Sequence, residues 1–228
     1  MPRASAADAA ETARRILEVA TTHFADHGFA AASVEEIARA SGVTRGAVYH
    51  HYASKTGLFT AVAAAQQQTV ADVIAAAIED SDPVDALRDG SHAFLDAITR
   101  GAAARILLVD GPSVLSWDDW RRMDAAGPES ELRAGLADAG GSPATLDAMT
   151  AALSGAMNEL ALLLVHHPTD ARAHAAAHQA LDTLLDGIRC AAARTQRRPG
   201  VEPGPSSTVY RVRKRDSTRC ARPTSERG

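Results

Sequence analysis

Apolar residues in the first sixty positions recur at the spacing of short helices. One run spans residues 7–27 and ends at Gly28, a residue type that commonly follows a last helical turn. The sequence Ser-Val-Glu-Glu at 33–36 matches a capping box, in which a hydroxyl and a carboxylate bind free amides at a helix start. This second helix is expected to end near Ala40, and residues 44–50 resume the pattern after a tight turn. The pattern predicts two short helices joined at a sharp turn.

Cap residues, prolines and glycines delimit further helices after this region. The expected stretches are 54–79, 83–100, short helices bounded by glycine-proline pairs at 111–112 and 127–128, then 143–167 and 170–194. The last two stretches carry apolar stripes at helical spacing and more apolar surface than one bundle needs. We expect them to form a closing hairpin.

Composition favours an all-α protein of about nine or more helices. Of 228 residues, 46% are apolar and only 4% aromatic, and the commonest residue, alanine, loses no side-chain entropy in a helix. No run of 18 consecutive apolar residues occurs, and the N-terminus lacks the apolar stretch of a signal peptide, so we expect a cytoplasmic protein. Cys190 and Cys220 fit neither a disulfide framework nor a zinc spacing.

Charge is distributed unevenly behind a net value of −4. Residues 61–194 hold 9 basic and 19 acidic side chains, whereas residues 195–228 hold 9 basic and 3 acidic. An acidic middle is a poor surface for phosphates, so any nucleic-acid contact should lie near the N-terminus. The final 34 residues contain little to bury, and we expect a disordered basic tail that either assists DNA binding or only aids solubility.

The short helices at 33–40 and 44–50 have the arrangement of a helix-turn-helix, whose second helix enters the DNA major groove. Arg45 can bind guanine O6 and N7 together, and Gly46 lets the backbone approach closely. A hydroxyl at a helix N-terminus suits a phosphate. The predicted DNA contacts are Ser33, Thr44, Arg45, Gly46, Tyr49, His50 and Lys55.

A fixed pattern of residues runs through this region. It reads Ser33-x-x-x-Ile37-Ala38-x-x-Ser41-Gly42-Val43-Thr44-x-Gly46-x-Val48-Tyr49-x-His51-Tyr52-x-x-Lys55-x-x-Leu58-Phe59. The pattern resembles the DNA-binding signature of the tetracycline-repressor (TetR) family and covers about residues 10–60. The departures are mild, such as Ser33 where threonine is usual. The family's glutamate after Lys55 is absent, which weakens the expected cap of the fourth helix.

The resemblance implies a homodimeric one-component regulator, usually a repressor, that binds a palindromic DNA operator and is released by a small-molecule effector. It implies a DNA-binding domain at 8–53 and a ligand-binding and dimerisation domain at 54–194, without catalysis, cofactor or membrane partner. The expected dimer contacts are the apolar residues of the closing hairpin: Leu153, Met157, Leu160, Leu164, Leu181, Leu184, Leu185 and Ile188.

Several large or polar residues of the second domain are candidates for a ligand pocket. Trp117 and Trp120 share a helical face, and aromatic side chains with a polar group are common in such pockets. Core or interface packing is the alternative for both. Asn158 lies within an apolar stripe, where it lines the pocket or a dimer seam. The full set is His92, Phe94, Arg105, Trp117, Trp120, Met123 and Asn158.

Two other classes of protein are considered. A helical enzyme or metal carrier needs converging ligands, and the available histidines are His166, His167, His174 and His178. They form no known metal motif, and the chain has no nucleophile elbow or phosphate-binding loop, so we expect no metal and no enzyme. An architectural DNA-binding protein would share the N-terminal helices but have no cavity in its second domain.

Overall fold

The computed structural model describes residues 6–116 and 128–196, and within those ranges every regular element is helical. The helices are α1 (Ala6–Ala31), α2 (Val34–Ala40), α3 (Arg45–Tyr52), α4 (Lys55–Ile78), α5 (Pro83–Ile98), α6 (Gly101–Ala103), α7 (Gly111–Val114), α8 (Pro128–Asp138), α9 (Leu146–His166) and α10 (Ala171–Gln196). A π-helix (Ala104–Asp110) joins α6 to α7. The predicted all-α fold class is confirmed.

Three side-chain caps start the helices around the sharp turn. The side-chain oxygens of Ser33, Thr44 and Ser54 accept hydrogen bonds of 3.4, 3.2 and 2.9 Å, each from the backbone N–H three residues later. The second half of the predicted capping box differs, because the Glu36 carboxylate lies 3.6 Å from His23 Nε2 instead. The hydroxyl cap at Ser54 starts α4 although the family's glutamate after Lys55 is absent.

Helices α1 to α3 form a head around the aromatic ring of Phe24. This ring is fully buried and meets Phe59 of α4 edge-on, with ring centres 5.2 Å apart. The Tyr52 hydroxyl donates a 2.7 Å hydrogen bond to the Ala13 carbonyl, and burial raises the pKa of Tyr52. At Gly28 the backbone has φ 75°, so α1 breaks there, yet one further turn continues to Ala31.

Helix α4 joins the head to the body. Its first half buries Leu58 and Phe59 in the head, and its second half buries Val70 and Ile74 in the body. One continuous helix therefore spans both parts.

Helices α9 and α10 form the predicted closing hairpin. The predicted start at 143 is wrong by one turn: residues 143–145 form a turn, and the helix begins at Leu146. Asp170 Oδ1 caps α10 by accepting from the backbone N–H of Arg172 at 2.9 Å. The predicted tail lies outside the described residues beyond Gln196.

Helix α9 is long and apolar enough, by length and composition alone, to cross a membrane, with a mean hydropathy of 1.5 over its most apolar window. One side of it is buried in the protein interior through Leu153, Met157, Ala161 and Leu164. This burial is what the core helix of a globular domain requires, since its apolar side must pack against other helices.

The predicted dimer contacts need correction. Leu153, Met157, Leu164, Leu181 and Leu185 are all less than 5% exposed and belong to the core of the single chain. Leu160 and Ile188 are half-buried against that core. Only Leu184 of the predicted set is a largely exposed side chain, at 43%. The apolar stripe that we predicted to form the dimer interface packs the hairpin against the other body helices of the same chain.

Candidate DNA-binding edge and ligand cavity

The first turns of α3 form an exposed edge of the head. Residues 44–46 are exposed, and one turn later His50 is exposed and Tyr49 is half-buried. Val48 lies on the opposite side, 2% exposed, and packs α3 onto the head. Thr44, Arg45 and His50 therefore project away from the core, whereas Tyr49 packs partly against it.

Arg45 has partners within the head itself. Its guanidinium forms an ion pair with Glu35, donates a 3.2 Å hydrogen bond to the Tyr49 hydroxyl and lies 5.2 Å from the centre of the Tyr49 ring. The Tyr49 hydrogen bond and the Glu35 charge raise the pKa of Arg45. To bind a base, Arg45 would exchange the Glu35 carboxylate for the base edge.

Ser33 and Lys55 start helices beside this edge. Besides capping α2, Ser33 Oγ donates a 3.3 Å hydrogen bond to Glu35 Oε2. Lys55 Nζ donates to the Ala30 carbonyl at 3.2 Å and lies 4.7 Å from the centre of the Phe29 ring. Lys55 thus ties α4 to the end of α1, a contact that the sequence did not indicate, and its contact with phosphate stays a prediction.

A cavity of about 260 Å³ lies between α4, α5, α8 and α9. Its wall is mainly apolar, and the largest apolar side chains are Ile74, Ile78, Leu87, Phe94, Leu132 and Met157. Four polar side chains complete it: Ser81, Ser91, Glu131 and Asp138. Phe94 is the one predicted pocket residue that lines this cavity among the residues described.

The other predicted pocket residues lie elsewhere. Asn158 lines a much smaller space beside the cavity, which also includes Phe94. Trp117, Trp120 and Met123 fall outside the described residues.

His92 and Arg105 do not line the cavity, and the pocket role predicted for them is corrected. His92 points from α5 towards α10, where its Nδ1 lies 2.7 Å from His178 Nδ1 and its Nε2 lies 3.1 Å from Asp182 Oδ1. Arg105 extends from the π-helix into the space left by the missing side chain of Gly28. His92 therefore joins α5 to α10 within the body, and Arg105 joins the body to the head.

A second link between body and head was not predicted. Asp110, the last residue of the π-helix, accepts a 2.8 Å hydrogen bond from the backbone N–H of Phe29. Arg105 Nε lies 3.7 Å from the same carboxylate oxygen. Sequence periodicity could not reveal this link, because the partners are far apart in the chain and one of them is a backbone group.

The histidines considered for a metal site do not converge. His178 stacks on His92, with ring centres 4.9 Å apart, and His166 Nδ1 lies 2.7 Å from the Leu162 carbonyl of its own helix. Within residues 6–116 and 128–196, no group of three His, Cys, Asp or Glu side chains is placed to hold a metal ion.

The exposed positions of the closing hairpin include small and apolar residues as well as charged ones. A Cβ atom added to Gly155 of α9 or Gly187 of α10 would meet no atom within 4 Å. Leu163 and Leu184 are exposed at 44% and 43%. Exposed small residues of these helices include Ala151, Ala152, Gly155, Ala176, Ala180 and Gly187. Of the predicted dimer residues, Leu184 alone is largely exposed on this outer surface.

Two family models match the chain in succession. Residues 16–62 match the model described as bacterial regulatory proteins, tetR family, and residues 84–188 match the tetracyclin repressor-like C-terminal domain. The first range holds the helix-turn-helix, and the second holds most of the body.

Relatives and a solved structure agree with this assignment. The A-factor receptor protein of Streptomyces griseus is 32% identical over 137 residues, which are 57% of this chain and 46% of that protein. The HTH-type transcriptional regulator SrpR of Pseudomonas putida is 45% identical over 67 residues, 29% of this chain and 32% of that protein. The matched segments thus span less than half the length of these curated relatives.

The crystal structure of the TetR family regulator PfmR from Thermus thermophilus is similar over 75% of this chain and 97% of that chain, with a TM-score of 0.56 and 25% identity. The head and the body thus each match the same family, in the same order along one chain. This chain belongs to the TetR family of bacterial transcriptional regulators.

Proposed function

We propose that this chain is a homodimeric repressor that binds a roughly palindromic DNA operator in the cytoplasm and leaves it when a small molecule fills the cavity. One observation carries the proposal: α4 starts three residues after the end of α3, packs against α3, and ends in the cavity wall, where it supplies Ile74 and Ile78. A single helix thus connects the DNA-binding edge to the space for a ligand. The name of the A-factor receptor protein, which describes that relative as a receptor, supports control by a bound ligand.

Sequence readout is assigned to the start of α3. Arg45 is exposed, and a guanidinium at this position of a recognition helix can form two hydrogen bonds to one guanine. Thr44, Gly46, Tyr49 and His50 would then lie close to the groove and its phosphates. Since the Glu35 ion pair is exposed on both sides, solvent screens it, and DNA can replace it at low cost.

Release follows from the geometry of a dimer. The two recognition helices must lie roughly 34 to 36 Å apart, or a further helical turn apart, to enter successive major grooves. A ligand that favours another separation lowers operator affinity only by its differential affinity for the two states, typically about 1 to 3 kcal/mol.

The structure offers two routes from cavity to head. Along α4, a shift at Ile74 or Ile78 moves the helix start at Lys55, which contacts the end of α1. The π-helix does not line the cavity but packs against α4 and α5 of its wall, and its Asp110 contacts Phe29 at the same end of α1. Both routes meet at Phe29, so the end of α1 is the expected site where ligand binding moves the head.

The test begins with selection of bound DNA from a random pool, followed by titration of the selected duplex. Arg45→Ala should lose discrimination at particular base pairs, by about 1 to 3 kcal/mol. Arg39→Ala is the matched control: Arg39 is an exposed arginine of the same head, at the end of α2. It should weaken all sequences alike and reduce the salt dependence. The proposal would be contradicted if the selection enriched no DNA sequence. It would also be contradicted if Arg45→Ala kept the base preference of the unmodified chain.

A further inference from the structure

We infer that the cavity is built for a compact apolar ligand that donates hydrogen bonds, above all a protonated amine, and that it disfavours carboxylates. The inference rests on the proposed function in taking this cavity as the effector site. It goes further by naming the chemical class of the ligand from the polar atoms that face the cavity.

Size and lining set the first limit. At about 260 Å³ the cavity is near the small end of the usual range for ligand sites, roughly 300 to 1,000 Å³. Phe94, Leu87 and Leu132 are each less than 9% exposed and present apolar surface to it. A ligand with one ring or a short chain therefore fits, and its binding is driven largely by removal of apolar surface from water.

The two hydroxyl groups in the cavity wall each donate their one hydrogen bond to another group of the protein. Ser91 Oγ donates a 2.7 Å hydrogen bond to the Leu87 carbonyl, and Ser81 Oγ donates a 2.8 Å hydrogen bond to Asp89 Oδ2. A serine hydroxyl has a single proton, so each oxygen can only accept from a ligand while these bonds persist. The hydroxyl groups thus offer acceptors and no donors.

The two charged groups in the wall are also acceptors. Glu131 and Asp138 lie two turns apart on α8, both exposed at the cavity. No basic residue is among the residues that line it in the described part of the chain. Nearby Arg133 binds Asp147, and Arg88 binds Asp182 and Asp186 on the other side of α5. An ammonium group is therefore attracted to these carboxylates, and a ligand carboxylate is repelled.

The first experiment uses three probes with one carbon skeleton: phenylbutylamine, phenylbutanol and phenylbutyrate. Each is titrated into the full-length protein while the unfolding temperature is followed, since a ligand of the folded state raises it. We expect the largest rise from the amine, a smaller one from the alcohol and the smallest from the carboxylate. An equal or larger rise from the carboxylate would overturn the inference, as would the absence of any rise from all three.

The second experiment locates the amine. Glu131→Gln and Asp138→Asn should each weaken amine binding, by up to about fivefold because both carboxylates are exposed, and leave alcohol binding nearly unchanged. Glu129→Gln removes the same charge from the same helix outside the cavity wall and should leave both unchanged. Equal weakening in Glu129→Gln would show only a long-range charge effect and would contradict the assignment.

A third pair of variants tests whether binding occurs in the cavity. Gly135 of α8 lines the cavity, and an added Cβ atom would lie 3.5 Å from Leu87 Cδ1, an ordinary contact. Gly135→Leu should fill the cavity and abolish the response to the amine, whereas Gly135→Ala should keep it. Alanine and leucine are both better helix formers than glycine, so both variants should fold. Retained amine binding in Gly135→Leu would place the amine elsewhere.

Failure of this inference is separable from failure of the proposed function. Selection of DNA without any probe tests the regulator alone. A protein that selects an operator yet prefers the carboxylate retains the function and refutes the ligand class, whereas one that binds the amine but selects no DNA refutes the function.

Discussion

Asp110 and Phe29 are 81 positions apart in sequence, and the Asp110 carboxylate accepts a 2.8 Å hydrogen bond from the Phe29 backbone N–H. The Asp110 side chain is only 17% exposed. Phe29 itself packs against Phe59 with ring centres 5.2 Å apart and lies beneath the Lys55 ammonium group. One carboxylate at the end of the π-helix thus fixes the point where α1 and α4 meet.

Asp110→Ala should lower the free energy of unfolding by about 1.5 to 3 kcal/mol, the usual contribution of a hydrogen bond to a charged group. Asp110→Asn retains an acceptor oxygen and should lose less. Denaturant titration measures both. Asp26→Ala, an exposed aspartate of α1, is the control and should change stability by no more than about 0.5 kcal/mol. An Asp110→Ala protein as stable as this control would mean that the contact contributes nothing.

Gly28 and Arg105 form the second contact between head and body. Gly28 has φ 75° and ψ 166°, a conformation that costs other residues of order 1 to 3 kcal/mol, and an added Cβ would overlap the Arg105 guanidinium. We expect Gly28→Ala to destabilise the protein by both effects. In an Arg105→Ala background only the conformational cost remains, so a double-mutant cycle should give a coupling energy of about 0.5 kcal/mol or more. Strict additivity would rule out the packing contact.

Glu35 competes with DNA for Arg45, because the two side chains are ion-paired on the exposed edge of the head. Glu35→Gln removes that partner and a negative charge that repels phosphate, so operator affinity should rise, by up to about fivefold for an exposed pair. Glu36→Gln is the matched control: its carboxylate faces His23 and Arg39 rather than Arg45. The gain beyond that of Glu36→Gln should disappear when Glu35→Gln is combined with Arg45→Ala.

The head could be predicted almost residue by residue because its determinants are local. Ser33, Thr44 and Ser54 cap helices through hydrogen bonds to amides only three residues away, and such bonds are visible in sequence as residue types at fixed spacing. Lys55 is different: its partners Ala30 and Phe29 lie across the fold. Its packing role could not be predicted from spacing.

The body was predicted less well because periodicity defines a helical face without stating what covers it. Leu153 and Leu181 form apolar stripes whether the partner is the same chain or a second one, and the structure shows the same chain. His92 lies one residue after Ser91, which lines the cavity. A step of one residue turns a helical side chain by about 100°, so His92 faces His178 of α10 instead of the cavity.

We predict that the contact between α5 and α10 at Asp182 weakens at acidic pH. Its hydrogen bond with His92, followed by the charges of His92 and Arg88, lowers the pKa of Asp182 below its ordinary value of about 3.9. A lowered pKa in the folded state means that the carboxylate stabilises the protein above the ordinary pKa, and that this stabilisation is lost as the pH falls through the lower folded value.

Asp182→Asn should therefore be less stable than the unmodified chain at neutral pH, and the difference should shrink as the pH falls below about 4. Thermal unfolding at a series of pH values measures this. Asp72→Asn alters an exposed aspartate that accepts from Gln68 and should track the unmodified chain throughout. A stability difference that is constant with pH would show that Asp182 acts by packing rather than by charge.

Gly155 lies on the exposed side of the closing hairpin, and a substitution there tests whether this side is the dimer surface. Glycine inside a helix costs about 0.5 to 1 kcal/mol relative to alanine, and its benefit is close approach by a neighbour. Among the residues that the structure describes, no atom outside the backbone of its own helix lies within 4 Å of a Cβ atom added at this position. A partner helix on this surface would explain the glycine, because a second backbone could then approach α9.

Gly155→Glu should leave the protomer folded, since glutamate is a better helix former than glycine and meets no neighbour. It should nevertheless convert a dimer into monomers by placing a charge against the partner, and operator binding should fall with it because one head alone contacts one half-site. Sedimentation and circular dichroism separate the two effects. Gly155→Ala is the control and should remain dimeric. A Gly155→Glu protein that stays a dimer with full operator affinity would place the interface on another surface.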